Sequence, residues 1–107
     1  MHSGEFINLA LSFPGIISRS HFDRTAFKIE GKRIFATLHE KNESANILLS
    51  LPEQKLFSEI HQSIYPIPNK WGANGWTTFE INKLERDVAL EALRSAYEEV
   101  LKKNTNK

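Results

Sequence analysis

The spacing of apolar residues divides the chain into segments of two periods. From Ser3 to Ser12, Phe6, Ile7, Ala10 and Leu11 recur at helical spacing, which predicts a helix with Ser3 as its N-cap. Pro14-Gly15 ends it. Residues 25–30 and 33–38 are rich in β-branched and aromatic types and are separated only by Gly31-Lys32. This predicts two strands joined by a type II′ hairpin, with Gly31 at the first central position, where φ is positive. Such a loop aligns Glu30 with Arg33, Ile29 with Ile34 and Lys28 with Phe35. Alternation then sends Phe27, Ile29, Ile34, Ala36 and Leu38 to the core, and Ala26, Lys28, Glu30, Arg33, Phe35 and Thr37 to the other face.

A polar stretch at residues 39–44 reads as a loop, and Ala45 to Leu49 as a third strand. Ser50-Leu51-Pro52-Glu53 spells a capping box, predicting a helix to about His61 with Leu56, Phe57 and Ile60 on its apolar face. Pro66, Pro68, Gly72 and Gly75 mark an irregular connection, and Trp76 to Ile81 reads as a fourth strand. Leu84, Val88, Ala92, Ala96 and Val100 recur every four residues, flanked by Leu93, Tyr97 and Leu101. They predict a long amphipathic helix that frays near Lys103. The expected class is α+β, in the order α-β-β-β-α-β-α, with helices packed on one face of an antiparallel sheet.

With 107 residues, 40% hydrophobic and 25% charged, the chain reads as one globular domain over residues 1–107, with residues 104–107 a disordered tail. No apolar stretch approaches the ~18 residues of a membrane span, and the first residues lack the basic start of a signal peptide. A cytoplasmic monomer away from membranes is the expectation. The absence of cysteine excludes disulfides and thiolate metal sites.

Fourteen Lys+Arg against 13 Asp+Glu leave a formal charge of +1, too little for a strong polyanion binder. Residues 18–33 are locally basic, however: Arg19, Arg24, Lys28, Lys32 and Arg33 outnumber Asp23 and Glu30. In the predicted hairpin, Lys28 and Arg33 flank Phe35, a basic face carrying an aromatic ring, suited to phosphates and a base. The competing reading is a solvated mixed-charge face, whose Glu30–Arg33 pair contributes under ~1 kcal/mol. Trp71-Gly72-Ala73-Asn74-Gly75-Trp76, preceded by Lys70, places two indoles around an Asn-Gly turn. Trp76, at a strand start, is assigned to the core, and Trp71 is free to meet a ligand or partner. His2, His21, His39 and His61 show no ligand spacing, Gly31-Lys32 lacks the rest of a phosphate loop, and no serine sits in a nucleophile elbow. Neither a cofactor nor a catalytic constellation is expected.

Taken as an ordered set, Phe13-Pro14-Gly15, the run from Ala26 to Leu38, Leu49-Ser50-Leu51-Pro52-Glu53-Gln54, the segment from Trp71 to Thr77 and the helix around Ala92-Leu93-Arg94-Ser95-Ala96-Tyr97 resemble the MmcQ/YjbR family of small bacterial proteins. The resemblance covers nearly the whole chain. It implies a frataxin-like (CyaY-like) arrangement and a double-wing, sheet-based DNA-binding surface, which falls here on Lys28, Lys32, Arg33, Phe35 and Lys70. Iron handling by frataxin-like proteins relies on an acidic first-helix ridge, whereas the first helix here holds only Glu5. The functional expectation is a weak DNA-binding or regulatory module. Its rival is a protein-interaction or small-ligand module using Trp71.

Overall fold

Antiparallel pairing runs through the entire sheet of the computed structural model, which describes residues 1–102. Among the described residues the sheet has six strands: β1 (Ile16–His21), β2 (Arg24–Ile29), β3 (Ile34–His39), β4 (Ser44–Leu48), β5 (Ile64–Pro66) and β6 (Trp76–Glu80), in spatial order β1-β2-β3-β4-β6-β5. The helices are α1 (Ser3–Leu11), α2 (Leu51–Ile60), the four-residue α3 (Lys70–Ala73) and α4 (Arg86–Lys102). The expected α+β class and one-sided helical cover are present, with β1, β5 and α3 added to the expected order. The tail expected at residues 104–107 lies outside the described residues.

Cross-strand partners share a face, so the register sorts the sheet into rows. Phe27, Ala36, Ile47 and Thr77 form one row, and Thr25, Leu38, Ala45, Phe79 and Ile64 the next. Except for half-buried Thr25, these residues are buried under the helices. Helix α4 lies across β2, β3 and β4. Its small residues Ala89, Ala92 and Ala96 are almost fully buried, and their size lets the helix approach the sheet closely. Tyr97 joins it to the start of β1: its hydroxyl donates to Pro14 O at 2.7 Å, and its ring stacks on Phe13 at 5.0 Å. The Phe13-Pro14-Gly15 string is thus a docking element for α4.

Two helix starts differ in their fidelity to the sequence. Helix α1 is capped by His2 rather than Ser3: His2 Nδ1 accepts from Glu5 N while Glu5 Oε1 accepts from His2 N. At α2, Ser50 Oγ accepts from Glu53 N at 3.3 Å, which is the serine half of the predicted capping box; the reciprocal bond from the Ser50 amide to the Glu53 carboxylate is not formed among the described residues. Phe57 and Gln54 are the buried side of α2, whereas Leu56 and Ile60, expected on that face, are 53% and 59% exposed. The helix meets the sheet near β5 over a narrow stripe, too narrow to cover them.

The β2–β3 hairpin departs from its expected register. Phe27 pairs with Ala36 but Lys28 pairs with Ile34, so Phe35 is the extra residue of a β-bulge. The turn spans Ile29–Lys32, closed by Lys32 N donating to Ile29 O at 2.8 Å, with Gly31 at the second central position and φ +86°. This is the position that favours glycine in a type II turn. Arg33 lies before β3, and the predicted Glu30–Arg33 alignment does not form.

Candidate functional site

The face of the sheet opposite the three long helices is built by a row through all six strands: Arg19, Ala26, Thr37, Asn46, Thr78 and Tyr65. Arg24, Lys28 and Ile34 share this side on β2 and β3, and Leu48 with Trp76 on β4 and β6. Its composition is divided. Arg19, Arg24 and Lys28 make the β1–β2 half basic, and none of them forms an ion pair within 4 Å among the described residues. Over the β4–β6 half lie the two indoles.

Between the halves is a hollow of about 390 Å³, lined by Arg24, Thr37, Asn46, Ile67, Trp71 and Trp76. Each lining residue is placed by a local cause. Arg24 follows the Phe22-Asp23 turn of the β1–β2 hairpin, and its Nη1 donates to Thr37 Oγ1 at 3.4 Å. Asn46 is an outward residue of β4, and its Oδ1 accepts the Thr78 hydroxyl at 2.8 Å. In this orientation the Nδ2 hydrogens are unpartnered among the described residues.

Trp71 is held from behind. Asn69 Oδ1 accepts from Trp71 N at 2.8 Å and starts α3. A Cβ on Gly72 would stand 1.8 Å from Ile67 O, and one on Gly75, which also has φ +109°, would stand 2.0 Å from Leu49 O. Only glycine permits these backbone approaches. From the helix side, buried Gln54 donates through Nε2 to Gly72 O at 2.9 Å and Thr77 Oγ1 at 3.0 Å, while the Thr77 hydroxyl donates to Gly75 O at 2.9 Å. The loop backbone is pinned, yet the indole of Trp71 is 55% exposed over the open face.

Two hydrogen-bonded pairs border this face. His39 Nδ1 accepts from Asn42 N at 3.1 Å, so its Nε2 carries the hydrogen that meets Asp23 Oδ2 at 2.8 Å. That bond lowers the Asp23 pKa from its ordinary value. Near β5 the Tyr65 hydroxyl donates to Glu80, and Lys83 pairs with the same carboxylate at 3.0 Å. The Tyr65 bond first, and then Lys83, lower the Glu80 pKa, while donation to Glu80 raises that of Tyr65.

Lys28 lies on the open face, half-buried. Lys32 sits in the turn beyond it, and Arg33 lines a separate hollow with Ala96, Glu99 and Val100 of α4. The hairpin therefore does not gather Lys28, Lys32 and Arg33 into one surface. Phe35, expected beside Lys28, is fully buried, with its ring edge-on to Tyr97 at 6.4 Å. The bulge turns it inward and leaves Ile34, expected in the core, 39% exposed. Lys70 is exposed at the start of α3, beside Trp71 but outside the hollow's lining. Trp76, assigned to the core from its strand-start position, is half-buried on the open face, because its β4 partner Leu48 faces that way too. Arg24, Thr37 and Asn46 escaped the sequence reading as site residues. Their signal was outward phase in the strand alternation, which does not say which strands lie side by side.

No family model matches the sequence, and no curated protein is similar to it. Among solved structures, the chain is similar to the crystal structure of the Deinococcus radiodurans protein DR2400, a DUF419 domain, at a TM-score of 0.79 and 19% identity, over 99% of this chain and 83% of that one. At that identity the likeness is one of fold.

Proposed function

We propose that the chain is an MmcQ/YjbR-like, frataxin-related module that binds DNA weakly through the open face of its sheet. One observation carries the reading: three cations without ion-pair partners among the described residues, Arg19, Arg24 and Lys28, share the open sheet face with two indoles. Cations neutralise phosphates and position the strand, and aromatic rings stack on bases. A formal charge of +1 keeps the long-range attraction small, so binding is weak at physiological salt. The contact set is revised from the hairpin tip to the sheet face, with Arg33 and Phe35 left out.

About three phosphate contacts give a salt slope near −2 on single strands and near −3 on duplex, a roughly 20- to 40-fold affinity loss between about 50 and 200 mM salt. Fluorescence anisotropy over that range tests the reading, with Arg24→Glu and Lys28→Glu each expected to weaken binding and flatten the slope. Arg33→Glu, on the other hollow, is expected to change binding less than either. If the wild type binds neither form of DNA at low salt, or if the two reversals leave affinity unchanged, the proposal fails. The hollow beside Trp71 favours a second reading, a small-ligand or protein-interaction module, which then takes its place.

A further inference from the structure

The hollow between the tryptophans has a chemistry narrower than general affinity for polyanions. It is lined by Trp71, Trp76 and Ile67, by the polar Thr37 and Asn46, and by Arg24. Among the described residues no carboxylate lines it. Donors stand ready among its lining groups: the Asn46 Nδ2 hydrogens, with the amide oxygen accepting from Thr78, and the guanidinium N–H groups of Arg24 beyond the one given to Thr37. A volume of about 390 Å³ is at the small end of ligand pockets, which run from about 300 to 1,000 Å³. Two indoles, the amide donors of Asn46 and the cation of Arg24 match a flat heteroaromatic ring with acceptor atoms on its edge and an anionic group alongside.

We infer that this hollow is a base pocket: it takes one unpaired nucleobase against Trp71 and Trp76, with its phosphate toward Arg24. The inference rests on the open-face reading and makes it more specific. Bases stacked and paired in a duplex cannot lay a ring face on these indoles without being extruded, at a cost of a few kcal/mol. Single strands present their bases without that cost, so the face selects single strands or free nucleotides over duplex. Trp71 is ready for this role before any ligand arrives, because Gly72, Gly75 and Gln54 hold the backbone beneath it. Less ordering is then charged against binding.

The test compares four probes by anisotropy and tryptophan fluorescence: a 15-nucleotide oligothymidylate, its duplex with oligoadenylate, an abasic strand of equal length, and thymidine 5′-monophosphate. The oligothymidylate is expected to bind at least about 10-fold more tightly than the duplex or the abasic strand and to quench tryptophan emission. Trp71→Ala is expected to remove about 5- to 140-fold of its affinity, the stacking of one base, and to leave abasic-strand binding unchanged. Trp71→Leu, which keeps apolar bulk, serves if the alanine variant does not fold, and Asn46→Ala should shrink the preference for base-bearing over abasic strands. Saturable quenching by the monophosphate, lost with Trp71, assigns the pocket to free nucleotides as well; its absence assigns the pocket to strands alone. Equal binding of abasic and base-bearing strands, with Arg24→Glu still harmful, overturns the base pocket and leaves the open-face reading standing. Absence of binding by all four probes removes both.

Discussion

The two faces of the sheet are made by the same strands, often by neighbouring residues, yet they use side chains differently. On one, Phe27, Leu38, Ile47 and Phe79 are fully buried beneath helices. On the other, Arg24, Lys28, Thr37, Asn46 and Thr78 are half-exposed, and Trp71 lines a hollow with Arg24, Thr37 and Asn46. Burial fixes size and shape on the first face, because interiors are close-packed. The second owes the fold little more than strand propensity, so its composition is free to meet a ligand. A residue's face therefore predicts whether its loss is felt in stability or in binding.

Phe35 gives the largest test of that contrast. Phe35→Ala empties a fully buried site against Tyr97 and is expected to cost about 3–5 kcal/mol in urea denaturation. Trp71→Ala, at a half-exposed site, is expected to cost under about 1 kcal/mol while weakening the base-dependent part of the binding described above. Similar losses for the two would break the division between faces. Next come the glycines. Gly72→Ala drives a Cβ into the Ile67 carbonyl and is expected to cost at least about 1–3 kcal/mol. Gly31→Ala meets nothing within 4 Å but keeps a φ of +86°, so its expected cost is the about 1–2 kcal/mol of a left-handed alanine. Thermal unfolding of the pair separates contact from conformation.

Smaller still is the Ser50→Ala cap deletion, expected to cost about 1 kcal/mol in the same assay. Smallest is the border pair on the open face. Donation from Tyr65 stabilises ionised Glu80 and the neutral phenol together. Because the Glu80 pKa is lowered on folding, its contribution is present above the unfolded carboxylate value and disappears as pH falls through the folded one. The Tyr65 pKa is raised, so its share is full below the unfolded phenol value and is lost as pH rises through the folded one. In Glu80→Gln the ultraviolet titration of Tyr65 is expected to move down toward the ordinary phenol range. The stability gap between this variant and wild type should narrow as the solution is acidified. An unmoved tyrosine titration would show that the pair is not formed.

Periodicity made α1, α2, α4 and the strands β2, β3, β4 and β6 legible, because each carries an apolar repeat that its burial enforces. It did not reveal β5, whose three residues end in proline, or β1, where Ser18, Arg19 and Ser20 offer little strand preference. The hairpin shows a different limit. Ile34, Phe35 and Ala36 are all apolar, so alternation cannot choose a side, and a two-residue turn was left to decide. The bulge overrides that choice and exchanges Phe35 with Ile34 between core and surface. At the site, the Trp71–Trp76 string and Lys28 stood out in the sequence. Arg24, Thr37 and Asn46 did not: they sit on consecutive strands, but they meet the two indoles only through the β4–β6 pairing, which is distant in the chain.

The pinned loop beneath Trp71 has a consequence for how this surface can change over generations. Every bond that holds the loop is made to its main chain or by residues other than the indole: Asn69 to the amide of residue 71, Gln54 to the carbonyl of Gly72, and bare glycine contacts at Gly72 and Gly75. The side chain at position 71 is thus mounted on a holder that does not depend on it. Substitution there can alter what the face recognises while folding proceeds undisturbed, so ligand preference can drift at this one codon under little selection from stability. The glycines and Gln54 have no such freedom, because changing them removes the mount itself.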